Sequence, residues 1–489
     1  MSAEARSTRE LFQSAVSLVR EWPLDPPDRP PAFALDRPPS GELAAGPGEP
    51  GGLDGDLWDT GQKVASGERS VMEVAQAALA AADQFDAAFK AFEFRDNIRE
   101  AATALGAEQR DHLRGPLHGV PVTVKDIIDV RGMPTTGSSV ALAPRQATED
   151  ATAVARLRAA GAVVMGKVTT HEFALGVTTP QARSPWDPAR VPGGSSGGSA
   201  ISVVTGMALA SLGTDTRASI RVPSALCGLV GFKPSHGLIP TDRWHTLSWS
   251  LDHFAPMARS VRDIALLMDI LTAAPSCYTS VLPGSLTGQR IGFAEATLAG
   301  ADPEVVARFH EALETMASAG ASVRRLEGPT ADDFALANAA GMVVSRAEAA
   351  HYHREAGTKL DLCTPEVRDQ LSEATRLLAT DYVRALRLRG QLRDRLTAQL
   401  SDVDVLALPT CKVVAPLVEE ADRFLLVLSE NCIPWSLVDF PAISVYMGLA
   451  RGLPSGIQFV GPPGQDRSVL HIAHAFEQVS APPPRWRPE

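Results

Sequence analysis

The sequence predicts an α/β fold, a large mixed, mostly parallel twisted β-sheet covered by helices on both faces. Helical segments alternate with short apolar runs along the chain. The helical segment "DATAVARLRAAG" ends at Gly161, and the apolar run "AVVMGKV" follows at once. Apolar runs of this kind are typical of parallel strands that helices bury on both sides.

The same alternation recurs elsewhere in the chain. Ser70 and Glu73 have the spacing of a capping box before an Ala-rich helix. Asp302 and Pro303 predict the start of a helix that ends near Gly320, and the strand "ASVRRLE" follows it. The run "DVDVLALP" predicts a further buried strand.

Proline and glycine divide the chain into two parts. Residues 1–56 are a Pro/Gly-rich N-terminal extension that includes a weak helical pattern over residues 8–22. So much Pro and Gly does not support a ladder of hydrogen bonds. No comparable break recurs later, so we predict that residues 57–489 form a single domain.

Composition excludes several classes of function. The chain has 489 residues with a formal net charge of −11, which argues against nucleic-acid binding. It has no apolar run long enough to span a membrane and no pattern of a signal peptide. Five scattered cysteines without a C-x-x-C pair indicate neither a metal site nor a disulfide framework. We therefore expect a cytoplasmic protein without metal or cofactor.

The first motif with chemical potential is "GVPVTVKDIIDV", in which Lys125 lies among β-branched residues. One interpretation is an ion pair with Asp126 or Asp129. The other is a desolvated amine whose lowered pKa makes it a base near neutral pH.

The second motif is "PGGSSGGSA" over residues 192–200. By itself it is typical of a turn or linker, although it matches the nucleophile elbow at Ser195 or Ser196. It lacks the Lys-Ser/Thr ending of a phosphate-binding loop. The next helix is predicted to begin at about Gly197.

The third motif is "GTDTRASIRVPSALCG" over residues 213–228. Its Thr, Asp and Ser residues predict a structured loop after the strand "MALASL". Ser219 is then either a helix N-cap or a nucleophile whose preceding amides form an oxyanion hole.

Taken together, the order of the three motifs resembles the amidase signature family of serine hydrolases. The 24-residue step from Ser195 to Ser219 fits that family, as do "CGLVGFKPSHGLIP" and "FPAISVYMGLARGLPSGIQFVG". The resemblance spans roughly residues 57–480 and leaves the extension outside it. It implies the amidase signature fold.

The resemblance also implies roles for individual residues. Lys125 matches the family's base, Ser195 its bridging serine, usually preceded by a cis peptide bond, and Ser219 the nucleophile. Glu172 and Phe173 match the acyl pocket. The N–H groups that match the oxyanion hole belong to Thr216, Arg217, Ala218 and Ser219.

The implied reaction is hydrolysis of the C–N bond of a small amide, or of a carbamate or ester, through an acyl-serine intermediate. The expected partner is that small molecule, with no nucleic acid and no membrane, and a homodimer is left open. Arg217 and Ala218 depart from the Gly-Gly usual in the family. The Arg217 side chain can point away to a local acid, line the pocket and select an acidic or carbonyl-rich substrate, or damage the oxyanion hole.

Three alternative functions stay open at this point. An α/β-hydrolase would use Ser195 or Ser196 with a histidine base. The amidase subunit of a tRNA-dependent amidotransferase would have a similar sequence, although the Arg217-Ala218 departure and the Pro-rich extension weigh against it. A non-catalytic scaffold is disfavoured because Lys125, Ser195 and Ser219 are all present.

Overall fold

The computed structural model describes residues 8–24, 55–109, 112–282 and 284–487. Most of the predicted extension, residues 25–54, lies outside the described residues. Within these ranges the helices are α1 (Thr8–Glu21), α2 (Leu57–Ala65), α3 (Val71–Phe89), α4 (Arg99–Glu108), α5 (Thr152–Ala159), α6 (Gly197–Val204), α7 (Arg221–Cys227), α8 (Val261–Leu271), α9 (Pro303–Ser318), α10 (Ala331–Glu355), α11 (Pro365–Ala374), α12 (Ala379–Gln399), α13 (Ile433–Leu437) and α14 (Asp466–Val479).

The strands follow the same chain order. They are β1 (Phe92–Arg95), β2 (Pro121–Lys125), β3 (Pro134–Thr135), β4 (Arg145–Gln146), β5 (Val163–Val168), β6 (Ala210–Asp215), β7 (Val230–Lys233), β8 (His253–Ala258), β9 (Arg290–Phe293), β10 (Ser322–Arg325), β11 (Val405–Pro409), β12 (Ala442–Ala450) and β13 (Leu453–Val460).

Eleven of these strands form one sheet, in the order β1-β5-β2-β6-β8-β7-β12-β13-β11-β9-β10. The predicted α/β fold with a large mixed sheet is confirmed. Parallel pairing joins β2 to β5 and β6, and β9 to β10 and β11. The other neighbouring strands pair antiparallel, because β7, β8, β12 and β13 separate the two parallel groups.

Local sequence signals set several element boundaries. Ser70 and Glu73 form both hydrogen bonds of the predicted capping box at the start of α3. The Asp302 side chain accepts a hydrogen bond at the start of α9, and Pro303 is its first residue. Gly161 has a φ of +96°, a conformation that glycine adopts readily, just after α5 ends.

Strand β6 extends further than the sequence suggested. We predicted a strand over "MALASL" followed by a loop, whereas β6 continues to Asp215. Its last residue lies opposite His253 of β8, and this antiparallel pairing extends the strand. The loop that carries Ser219 is therefore short, between the end of β6 and Arg221 at the start of α7.

Helix α1 packs against the domain although it belongs to the N-terminal extension. It contacts α10, α11 and α12, and Val19 is buried in their apolar core. Arg20 and Asp381 form an ion pair of 2.7 Å, and the Arg384 guanidinium donates to Val19 O. The described helices include none that is long and apolar enough to cross a membrane.

Candidate active site

Lys125 ends strand β2, which lies between β5 and β6 in the sheet. Its side chain is fully buried, and Nζ donates to Ser195 Oγ at 2.7 Å and to Thr214 Oγ1 at 2.8 Å. Thr214 is the residue before the end of β6, so the neighbouring strand positions the amine against Ser195.

The acidic residues that follow Lys125 in sequence pair with other basic side chains. Asp126 Oδ1 lies 3.1 Å from Lys167 Nζ, and Asp129 Oδ1 lies 2.8 Å from Arg145 Nη2. The structure therefore favours the desolvated amine over the local ion pair.

The chemical consequence is a shift of the Lys125 pKa. Burial in an apolar strand environment lowers the pKa of Lys125 to about 7, and the charges of Asp252 and Asp215 oppose this decrease. Near neutral pH the side chain is therefore able to exist as a free amine, which can accept a proton.

Ser195 lies in a closely packed turn just before α6. The peptide bond between Gly194 and Ser195 is cis, as the family resemblance implies. The Ser195 carbonyl accepts hydrogen bonds from His171 N at 3.0 Å and Thr179 Oγ1 at 3.3 Å. Gly198 has no room for a side chain, since a Cβ there would lie 2.5 Å from Ala91 O. The Gly/Ser-rich segment is thus a buried, defined turn.

Ser219 is brought to the same place by backbone contacts. Ser196 N donates to Ser219 O at 3.2 Å, which joins the second and third sequence motifs. In the described part of the chain, no hydrogen bond uses the N–H groups of Arg217, Ala218 and Ser219. These groups are therefore available to an external acceptor such as a developing oxyanion.

Buried polar contacts hold both ends of the Ser219 loop. Asp215 forms two hydrogen bonds with Arg221, at 2.9 and 3.0 Å, and both side chains are fully buried. Thr216 Oγ1 donates to Asp252 at 2.6 Å. Four donors from residues 244–248 also converge on Asp252, so the segment that we noted for its aromatic and polar residues is tied to this loop.

A cavity of about 70 Å³ lies beside Ser219. Thr216, Arg217 and Ser219 line it on one side, and residues 174–177 and Arg346 of α10 line other parts of its wall. Leu11 and Phe12 of α1 also line it. The sequence analysis missed these two residues because it placed the extension outside the domain. Their signal is the amphipathic spacing of "TRELFQSAVSLVRE".

The Arg217 side chain lines this cavity instead of pairing with a local acid. It is only 8% exposed, and its Nε has no hydrogen-bond partner among the described residues. Ala218 has a φ of 158°, close to extended backbone, and its side chain packs in an apolar cluster. The loop therefore accommodates two residues where the family usually has glycine.

Glu172 and Phe173 lie next to the cavity wall, which begins at Ala174. The Glu172 carboxylate accepts hydrogen bonds from Ser139 Oγ at 2.5 Å and from Thr364 N at 2.8 Å. Phe173 is buried against the His353 ring, with the ring centroids 4.5 Å apart. Their contact with substrate stays a prediction, and the structure gives each of them a packing role.

The serines of the glycine-rich turn have no histidine base. Ser195 Oγ bonds to Lys125, and Ser196 Oγ donates to the Thr214 carbonyl at 3.4 Å. This arrangement offers no support for the α/β-hydrolase alternative. Among the described residues there is also no cluster of His, Cys, Asp and Glu that could hold a metal ion.

Comparisons with known proteins agree with this geometry. The family model Amidase matches residues 72–470. The first-named subunit of the glutamyl-tRNA(Gln) amidotransferase of Roseiflexus castenholzii is 35% identical over 465 residues, which cover 86% of this chain and 94% of that protein. The chain therefore belongs to the amidase family.

Solved structures agree on the fold. A crystal structure of an amidase, 34% identical, covers 87% of this chain and 100% of its own with a TM-score of 0.80. The peptide amidase of Stenotrophomonas maltophilia is 28% identical and covers 88% of this chain and 98% of its own, with a TM-score of 0.76. The predicted amidase signature fold is thus confirmed.

Proposed function

We propose that this protein cleaves the C–N bond of a small amide through an acyl-Ser219 intermediate, with Lys125 as base and Ser195 as proton relay. The observation that carries the proposal is the 2.7 Å hydrogen bond between Lys125 Nζ and Ser195 Oγ inside a fully buried site. A carbamate or ester would follow the same chemistry.

The proposed reaction begins with attack of Ser219 Oγ on the substrate carbonyl carbon. The Ser219 proton passes to Ser195 Oγ, and the Ser195 proton passes to the neutral Lys125 amine. When the tetrahedral intermediate collapses, the same relay returns a proton to the departing nitrogen. Water then attacks the acyl-serine, and the acid product leaves.

The oxyanion hole in this proposal consists of the backbone N–H groups of Thr216, Arg217, Ala218 and Ser219. Backbone N–H groups serve here whatever the side chain, because every residue other than proline has one. Loss of a single oxyanion-hole donor lowers kcat by roughly 100-fold to 1000-fold in other serine enzymes. The substitution of Gly-Gly by Arg217 and Ala218 is therefore compatible with catalysis.

A second candidate function is that of one subunit of an amidotransferase. The relatives named as glutamyl-tRNA(Gln) amidotransferase subunits are 34–36% identical and favour this function over a stand-alone hydrolase. Their names include tRNA, so they also weigh against our expectation of no nucleic-acid partner. The two candidates share the first half of the reaction, which is release of ammonia or an amine from an amide.

Ammonia release by the purified chain tests the proposal. We expect turnover of small primary amides that is lost in Ser219→Ala and retained in Ser196→Ala, the neighbouring serine. Turnover that persists in Ser219→Ala would overturn the nucleophile assignment. Turnover of glutamine only when a copurifying second protein is present would favour the amidotransferase candidate.

A further inference from the structure

Two arginines line the cavity beside Ser219. Arg217 lies in the Ser219 loop, and Arg346 lies on α10; each is only 8% exposed. They are close enough for the charge of Arg346 to lower the pKa of Arg217, with burial as the larger cause. Two like charges buried side by side destabilise the folded state unless an opposite charge compensates them.

Neither arginine has a carboxylate partner among the described residues. Arg217 Nε is buried without any hydrogen-bond partner, and Arg346 Nη1 has only a 3.4 Å contact with Ser345 Oγ. The other buried arginine of the site, Arg221, has a full set of partners that includes Asp215. Unpaired buried arginines are therefore specific to the cavity.

Glu366 is the acidic side chain that lines the same cavity, and its oxygens are used elsewhere. Oε1 accepts from Gln370 Nε2 at 2.9 Å, and Oε2 lies 3.3 Å from His171 Nε2. Two guanidinium groups thus face one carboxylate, which leaves about one positive charge in excess. A ligand with one negative charge complements this cavity.

We propose that Arg217 and Arg346 form a carboxylate-binding subsite, so that the substrate is a small amide that also carries a carboxylate group. This inference rests on the proposed function, since it names the substrate class of that reaction. The planar guanidinium groups can each donate two hydrogen bonds to a carboxylate. Arg217 would then contribute its side chain to specificity and its N–H to the oxyanion hole.

Binding to the Ser219→Ala protein tests the subsite independently of catalysis. The probes are succinamate, which has one carboxylate and one amide, and 3-nitropropanamide, a neutral molecule of the same shape. We expect succinamate to bind more tightly, and Arg346→Gln to weaken its binding about 30-fold or more. Binding of 3-nitropropanamide should change by less than about 3-fold, because it makes no ion pair.

Control variants separate charge recognition from a structural role. Arg354→Gln changes an exposed arginine of the same helix and should leave both affinities unchanged. Arg346→Lys retains the charge and should restore part of the succinamate affinity. Without ligand, Arg346→Gln should melt no lower than the parent protein, because it removes an unpaired buried charge.

Equal affinity for the two probes, or equal weakening of both by Arg346→Gln, would overturn the subsite. A lower melting temperature of Arg346→Gln with unchanged selectivity would also overturn it and assign a structural role. Failure of the proposed function is recognised differently. In that case the protein with Ser219 intact hydrolyses neither probe, whereas the binding preference measured above is unaffected.

Discussion

At the scale of single residues, the arrangement around Lys125 explains why a lysine is needed here. An arginine would stay charged after burial, whereas an amine can lose its proton. Lys233 is buried to the same degree, and burial lowers its pKa to about 7 as well. Only Lys125 of the two donates to Ser195, so hydrogen bonding to the serine separates the proposed base from its structural counterpart.

The lowered pKa predicts how activity depends on pH. Because the neutral amine is the base, kcat/KM for a neutral amide should rise as pH increases through about 7 and then reach a plateau. The measurement is a pH profile from about pH 5.5 to about pH 9 under conditions where the protein stays folded. A profile that is flat or falls over this range would contradict the assignment of Lys125 as base.

At the scale of elements, helix α1 is part of the site. Leu11 and Phe12 close one side of the cavity, and α1 is fixed through the Arg20–Asp381 ion pair and the contacts of Val19. The length of a substrate is thus limited by a helix that precedes the rest of the domain in sequence.

Truncation of this wall predicts a change in substrate size. Phe12→Ala should enlarge the cavity, raise KM for small amides and improve kcat/KM for longer acyl chains relative to short ones. Kinetics with a series of linear amides measures this preference, and Val16→Ala, which changes the same helix outside the cavity lining, is the control. Unchanged chain-length preference in Phe12→Ala would argue that α1 does not limit the substrate.

At the scale of the whole molecule, the Asp215–Arg221 pair connects distant parts of the chain. Arg221 also donates to Cys432 O at 3.0 Å, Gln458 Oε1 at 2.7 Å and Ser436 Oγ at 2.7 Å. The Ser219 loop is thereby tied to α13 and to β13, which is paired with β12 and β11 in the other half of the sheet.

Removal of one partner of this pair should destabilise the whole fold. Asp215→Ala leaves the Arg221 guanidinium buried without its carboxylate and should lower the free energy of unfolding by about 3–5 kcal/mol. Denaturant unfolding measures the effect. The matched control is Glu149→Ala, which breaks the exposed ion pair with Arg243 and should cost less than about 1 kcal/mol. Similar losses in the two variants would contradict this role of the buried pair.

The sequence predicted the α/β class and the grouping of Lys125 with Ser195, because apolar patterning and the family motifs are local signals. It did not predict that Asp126 would pair with Lys167, since that contact depends on the pairing of β2 with β5. Arg346 and the α1 residues were missed for the same reason. They lie far from Ser219 in sequence, and only the packing of α1 and α10 brings them to the cavity.

The central claim is that Lys125 activates Ser219 through Ser195, and labelling by a fluorophosphonate tests it most directly. Intact mass and peptide mapping should give one adduct, on Ser219, that is lost in Lys125→Met and retained in Lys233→Met. An adduct on Ser195 or Ser196, or undiminished labelling of Ser219 in Lys125→Met, would contradict the account.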